Sequence, residues 1–205
     1  MDRNDLAAQF DVSRETLDRL IRFDALLKKW NPRINLVSRA SLDQSWTRHI
    51  ADSVQVFHCV TARGHWVDLG SGGGFPGVIV AILAAEAAPD LKVTLVESDQ
   101  RKAAFLRTAA RECGVRLQVI ARRIEAIPPL QADILSARAL ADLGQLLGFA
   151  ERHLAADGVA LFPKGATWEK ELAEARQEWS FELTPIRSRT ESEAVILKIE
   201  RVSRG

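Results

Sequence analysis

Neither sign of charge is in excess in this sequence. Its 205 residues carry 28 Lys and Arg against 27 Asp and Glu, a formal net charge of +1. That balance excludes a histone-like, strongly cationic nucleic-acid binder. It leaves room for a local basic face, because net charge averages over the whole surface. Cysteine is scarce. Cys59 and Cys113 stand far apart with no Cys-x-x-Cys spacing, which excludes a disulfide-built miniprotein and argues against a zinc site or redox pair. Both are expected to be reduced and buried, as suits the cytoplasm. The four histidines, His49, His58, His65 and His153, lack metal-ligand spacing such as H-E-x-x-H, and no metal is expected. Long hydrophobic runs are missing too. The longest, Val78 to Ala85, is too short to span a bilayer. The stretch from Met1 to Asp11 carries Asp2, Asp5 and Asp11 and lacks the basic start and apolar run of a secretory signal. Repeats, low-complexity tracts and long linkers are absent. What is present, 47% hydrophobic and 27% charged residues, suits one well-buried domain or one domain with a small extension.

The first sixty residues read as helical. Ser13 is placed to cap a helix, with Glu15 in its first turn. Leu17, Leu20, Ile21, Leu27 and Trp30 recur at three- and four-residue steps and form one apolar stripe. Asn31-Pro32 is expected to break that helix. Asn35 to Arg39 reads as a connector, and a second helical pair is predicted over residues 42–57. From Gly64 onward, short apolar runs alternate with helical segments. Strands are predicted at 66–69, 93–96, 117–120, 133–136 and 159–162, with helices at 75–88, 100–113, 140–154 and 168–177. Two more strands are expected near 181–185 and 194–200. The alternation implies an α/β fold, a mostly parallel sheet with helices on both faces. The last two strands, joined by a loop alone, must be antiparallel. A helical cap over residues 1–63, packed on a core over 64–205, is the expected organisation.

The most informative segment is Asp68-Leu69-Gly70-Ser71-Gly72-Gly73-Gly74-Phe75-Pro76-Gly77, between the first strand and first helix of the alternating region. Open α/β sheets bind ligands at that place, and glycines there admit a close backbone approach. The segment fits two templates. From Gly72 it reads Gly-x-Gly-x-x-Gly, a dinucleotide fingerprint. From Asp68 it reads acid-x-Gly-x-Gly-x-Gly, the S-adenosylmethionine (AdoMet) loop of class I methyltransferases. Glu97, at the end of the second strand, can accept from both ribose hydroxyls of either cofactor. Two features favour AdoMet. A carboxylate at Asp68 suits an ammonium and a sulfonium but repels a pyrophosphate. The antiparallel C-terminal pair matches a methyltransferase sheet. An NAD-type oxidoreductase is one rival reading; a non-enzymatic RNA or ribosome-assembly binder is the other.

A wider set of motifs carries a resemblance. Trp30-Asn31, Asn35-Leu36-Val37-Ser38-Arg39, His49-Ile50-Ala51-Asp52-Ser53, the glycine loop with Phe-Pro-Gly, and Val96-Glu97-Ser98 come first. Arg101-Lys102, Phe105-Leu106, Arg123-Ile124-Glu125, Ser136-Ala137-Arg138-Ala139 and Lys164-Gly165 complete it. From about residue 15 onward the chain resembles the bacterial 16S rRNA (guanine(527)-N(7))-methyltransferases, the glucose-inhibited division B family. Members often have Lys-Lys at Arg101-Lys102 and Asn at Ala121.

The resemblance implies a Rossmann-like AdoMet enzyme whose Gly70 and Phe75 line the cofactor site. It places Ile124 and Glu125 beside the adenine and Arg138 near the methionine end or the target base. The physics of the fold adds Glu97 on the ribose, Asp68 near the methionine ammonium directly or through water, and Gly72 and Gly74 in the loop. Guanine N7 has an in-plane lone pair and no proton, so no general base is expected. Arg138 is then a positioning group for substrate or cofactor. Asn35, Arg39, His49, Asp52, Arg101, Lys102, Arg123 and Lys164 are the residues expected to meet RNA. Eight basic residues against three acids lie between Arg101 and Arg138, which can contact phosphates. The implied partner is 16S rRNA within the small ribosomal subunit or its assembly intermediate. No membrane is implied, and the expected form is a cytoplasmic monomer.

Overall fold

The structure, a computed structural model, describes residues 9–10 and 12–205. Helix α1 (Arg14–Ile34) begins as its sequence predicts, with Ser13 Oγ accepting from the Thr16 amide at 3.2 Å. Its buried stripe is Leu20, Phe23 and Leu27. The expected break at Asn31-Pro32 does not occur, and the helix runs on to Ile34. Pro32 lies in the last turn, where its fixed φ is helical and its missing N–H deprives only one carbonyl. The true stop is Asn35, at φ 49°, whose N–H returns to the Asn31 carbonyl at 3.0 Å. The Asn31 side chain is buried and accepts from the Val37 amide at 2.9 Å, fixing the connector.

The predicted helical pair over 42–57 resolves into three short pieces. These are α2 (Arg39–Leu42), capped by Ser38, a single π-helical turn (Trp46–Ala51), and α3 (Asp52–Phe57). The α/β region then supplies β1 (His65–Leu69), α4 (Gly77–Ala87), β2 (Lys92–Val96), α5 (Gln100–Cys113) and β3 (Gln118–Ile120). A 3-10 turn (Ile124–Ala126) precedes β4 (Ala132–Ala137), α6 (Leu143–His153), β5 (Leu154–Lys164), α7 (Trp168–Ala175), β6 (Trp179–Arg187) and β7 (Val195–Arg204).

These strands form a seven-stranded sheet in the order β3-β2-β1-β4-β5-β7-β6. Strands β1 to β5 are parallel. Strand β7 is antiparallel to both β5 and β6, so the hairpin partner slots between them. The strand order reverses beside β1, which opens a crevice at the carboxyl ends of β1, β2 and β4.

Each sheet face has its own core. Trp66, Leu95 and Ile134 pack with Leu20, Phe23, Ile79 and Phe105 on one side, so the N-terminal helices share that core with the sheet. Val67, Leu69, Leu135 and Phe162 pack with Leu143, Leu147 and Trp179 on the other. Helix α4 is apolar all round because it is enclosed, with residues 77–84 all buried. No helix among the described residues is long and apolar enough to cross a membrane. Cys113 is buried, whereas Cys59 is only half-buried, short of the expected burial. Helix α4 starts two residues later than predicted, because residues 72–76 form the turn of the glycine loop. Helix α6 starts three later, where Asp142 accepts from the Gln145 amide at 2.9 Å.

Candidate active site

Gly70, Gly72 and Gly74 have φ of 63°, 51° and 88°, so the loop after β1 turns through the left-handed region at alternate residues. The first two line a cleft of about 430 Å³ at the crevice. Gly74 does not. A Cβ there would lie 2.7 Å from Val78 Cγ2 and 3.2 Å from Phe23 Cζ, so this glycine faces α1 and α4. Glu97 stands at the end of β2, nearly buried. Its Oε2 accepts from the Gly72 amide and its Oε1 from the Asp99 amide, each at 2.8 Å. Each oxygen retains a second lone pair. Ile124, Glu125, Phe149 and Leu140 supply the rest of one wall, with Lys102 and Arg123 on the lining as well.

Asp68 is the second expected cofactor residue, after Gly74, that the structure keeps off the cleft. It has no exposed surface. Its Oδ1 accepts from Ser136 Oγ at 2.7 Å and its Oδ2 from the Gly77 amide at 3.2 Å. Ser136 Oγ in turn accepts from Trp66 Nε1 at 2.9 Å. Side chains alternate along β1, so Asp68 shares the face of Trp66, beneath α4, and cannot turn into the cleft. Burial raises its pKa to about 6, opposed by the hydrogen bonds from Ser71 and Ser136.

A second cavity, of about 620 Å³, adjoins the first. The two share Leu36, Val37, Arg138 and Ala139. Arg138 is the charged group on that common wall. Its guanidinium lies 5.1 Å from the Phe75 ring centre and donates to His49 Nδ1 at 2.9 Å and the Arg48 carbonyl at 3.3 Å. Burial lowers its pKa, while the carboxylates of Asp52 and Asp68 act in the other direction. Burial and then the Arg138 charge push His49 down to about 4. A guanidinium can only donate, so Nδ1 is the bare nitrogen and the proton sits on Nε2. That Nε2 is buried and has no partner among the described residues.

Asp52 lies one helical turn past His49 and lines the second cavity. Thr190 Oγ1 donates to its Oδ1, and burial raises its pKa. Lys164 also lines this cavity, with two of its three donors already engaged. It donates to Glu171 Oε2 at 2.7 Å and to the Ala141 carbonyl at 2.8 Å. Glu171 Oε2 also accepts from the Leu143 amide at 3.0 Å. The pair therefore ties the segment after β4 to α7. Asn35 and Arg39 are exposed and line neither cavity; nor does Arg101, which pairs with Asp99 at 3.2 Å. Sequence reasoning missed Leu36 and Val37 as shared wall, and Glu171 and Thr190 around the second cavity. The first two lie inside the Asn35 to Arg39 motif; the others come from distant segments with no local signal.

The cleft fits AdoMet on its own features. It pairs a glycine turn open to close approach with an acid at the next strand end and an apolar slot. Among the described residues, no group of His, Cys, Asp and Glu is set to hold a metal. The fold agrees. A TehB-like SAM-dependent methyltransferase from Corynebacterium glutamicum superposes with a TM-score of 0.55 at 18% identity, over 73% of this chain and 87% of that one. A ribosomal protein L11 methylase from Lactobacillus delbrueckii subsp. bulgaricus gives 0.57 at 18% identity, over 75% and 79%. This is the Rossmann-like fold of AdoMet-dependent methyltransferases. The model of the rRNA small subunit methyltransferase G family, GidB, matches residues 16–195. The Ribosomal RNA small subunit methyltransferase G of Ruegeria sp. (strain TM1040) is 63% identical over 96% of each chain. The chain belongs to the rRNA small subunit methyltransferase G family and is an AdoMet-dependent rRNA methyltransferase. Membership overturns the oxidoreductase and non-enzymatic readings.

Proposed function

We propose that this chain methylates N7 of guanine 527 in 16S rRNA, within the small ribosomal subunit or its assembly intermediate. The observation that carries the reading is the pair of cavities meeting at Arg138. One is shaped for a nucleoside with an amino-acid tail, and the other is large enough for a second planar group. When bound, AdoMet supplies a methyl group activated by its sulfonium. Glu97 would hold the ribose hydroxyls, and Ile124 and Glu125 would flank the adenine. Gly70, Phe75 and Arg138 would stand at the methionine end. Asp68 acts from beneath, by fixing the Gly77 amide at the far end of the glycine loop.

N7 needs no general base, so the chain's task is alignment. Complete orientation can supply roughly 7–11 kcal/mol of the barrier. Arg138, stacked on Phe75 and pinned by His49, is a positioning group facing guanine O6, a phosphate or the cofactor carboxylate. It does not occupy N7, whose lone pair must stay free. Lys102 and Arg123 at the cleft, with exposed Arg39 and Arg101, form the phosphate-binding rim, and Asn35 lies beside it. Near-zero net charge favours a folded ribonucleoprotein surface over naked RNA. The working form is a monomer in the cytoplasm.

The test uses purified protein, methyl-labelled AdoMet and small subunits lacking the modification, with naked rRNA and DNA alongside. Cleavage chemistry selective for 7-methylguanine maps the label. One labelled guanine in subunits, lost in Gly70→Arg and Arg138→Ala variants, is the expected result. Label on another atom or another RNA would overturn the assignment.

A further inference from the structure

We infer that Asp52 is the residue that selects guanine, by accepting hydrogen bonds from its Watson–Crick edge in the second cavity. The inference rests on the proposed function and names the reader within that site. It starts from what the cavity wall has left to offer. Most of its polar side chains are already committed. Gln55 donates to the Arg187 carbonyl at 2.7 Å and accepts from the Arg189 amide at 2.9 Å. Lys164 and Glu171 hold each other at 2.7 Å. Ser188 accepts from the Thr190 and Glu191 amides, each at 3.2 Å. Arg48 faces Glu191 at 3.7 Å.

Asp52 differs. Its carboxylate is half-buried on the cavity wall and, among the described residues, takes one hydrogen bond, from Thr190 to Oδ1. Among the described residues it makes no ion pair within 4.0 Å, although Arg48 and Arg138 act on it at longer range. A carboxylate withdrawn from water without a paired cation is costly to keep. The cost is offset if a ligand brings donors to the free oxygen.

Guanine brings two. Its N1–H and N2 amino group lie side by side, and a carboxylate can accept from both. Its N7 lies on the opposite edge, so a base that presents N7 to the shared wall at Arg138 points N1 and N2 away from the cofactor cleft, into the cavity. His49 and Asp52 stand one turn apart on this same cavity lining, the first bonded to Arg138. Adenine also carries an N7. At the corresponding positions it offers a bare N1 and a C–H, and an acceptor facing a carboxylate is rejected. N7 chemistry alone cannot separate the two purines; Asp52 can. A base read this way has to leave its stack, as bases do for enzymes that act on them.

The experiment reconstitutes small subunits from 16S rRNA bearing guanine or inosine at the target. Inosine keeps N7 and N1–H and lacks the N2 amine. Methyl transfer from labelled AdoMet is measured for wild type, Asp52→Asn and Thr190→Val, and AdoMet affinity is measured by calorimetry. Wild type should lose roughly 10- to 100-fold in kcat/KM on inosine, the scale of one hydrogen bond to a charged group. Asp52→Asn should lose a similar factor on guanine, lose little more on inosine, and keep its AdoMet affinity. Thr190→Val, which leaves the carboxylate in place, should stay within a few-fold of wild type. Equal losses in Asp52→Asn and Thr190→Val would make the Asp52–Thr190 link merely structural and overturn the inference. So would unchanged guanine preference in Asp52→Asn. A wild type that binds AdoMet and labels no subunit would instead sink the proposed function itself.

Discussion

The Arg138 guanidinium donates to His49 Nδ1 at 2.9 Å, a bond that exists only while the imidazole is neutral. Burial and the adjacent cation hold His49 at about 4, against 6.5 in an unfolded chain. Between those values the unfolded chain takes up a proton that the folded chain refuses. Its contribution to stability is therefore complete above pH 6.5 and is lost as pH falls through 4. His58, His65 and His153 are lowered in the same direction. Asp68 works the other way: raised to about 6, it binds its proton first in the folded state and favours folding as pH drops below 6. His49→Gln keeps an acceptor for Arg138 and removes one of these opposing contributions. Thermal unfolding of both proteins from pH 7.5 to 4.5 checks it. Wild type should lose ground relative to the variant as pH falls. A gap that stays constant would mean that His49 titrates normally.

Two glycines of one loop should respond differently to the same change. Gly72→Ala places a Cβ no closer than 3.7 Å to any described residue beyond its chain neighbours, so only the φ of 51° is strained, at about 1–2 kcal/mol. Gly74→Ala adds a collision with Val78 and Phe23, worth about 1–3 kcal/mol more. Differential scanning calorimetry should rank Gly74→Ala as clearly less stable. AdoMet titration of the folded fractions should rank Gly72→Ala as the weaker binder, since only Gly72 borders the cleft. A reversed order in either measurement would contradict the placement of Gly74 against α1 and α4.

The glycine loop and Glu97 were readable in sequence because position along a strand decides them. A turn that needs left-handed φ calls for glycine, and a strand end at the crevice faces the ligand side. Asp68 and Gly74 show where such reasoning stops. Both lie in the right stretch of chain, yet which face a side chain takes depends on what packs behind it. Ser136 and the Gly77 amide claim Asp68, and Val78 and Phe23 claim the space at Gly74. Pro32 misled for a related reason, because a helix stop depends on the last turn and not on proline alone. The second cavity was the least legible part. Asp52 and Thr190 are 138 residues apart, and Lys164 meets Ala141 across 23. No local pattern records such meetings.

Lys164 and the cleft lysine and arginine make a contrast that salt can resolve. Lys102 and Arg123 line the cofactor cleft and make no ion pair among the described residues. Replacing either with Ala should weaken subunit binding and reduce its salt dependence by about one counterion. Lys164 is committed to Glu171 and Ala141, with 10% of its side chain exposed. Lys164→Met should leave the salt slope unchanged and lower stability by about 1.5–3 kcal/mol, the scale of a charged hydrogen bond. Filter binding at several salt concentrations, together with calorimetry, separates the two. A reduced slope in Lys164→Met would return Lys164 to the RNA-contact role expected from its motif.

Asp68 offers the sharpest choice between holding the fold and touching the ligand. Its carboxylate satisfies Ser136 Oγ and the Gly77 amide, and Ser136 in turn satisfies Trp66 Nε1. Asp68→Ala strands these donors in a dry interior, at about 1–3 kcal/mol for each orphaned group. Asp68→Asn keeps an acceptor for the Gly77 amide, and Ser136 Oγ can receive the new amide, which strands only the Ser136 hydroxyl proton. A carboxylate acting only through the loop should therefore lose most stability in Asp68→Ala and clearly less in Asp68→Asn. AdoMet affinity should fall no more than a few-fold in Asp68→Asn. A contact with the methionine ammonium, direct or through water, predicts a different pattern. Asp68→Asn would then fold normally and lose AdoMet affinity by about 10-fold or more, the worth of one charge-assisted bond. Unfolding midpoints and AdoMet calorimetry on the same two variants decide it, because the first role shows in stability and the second only in binding.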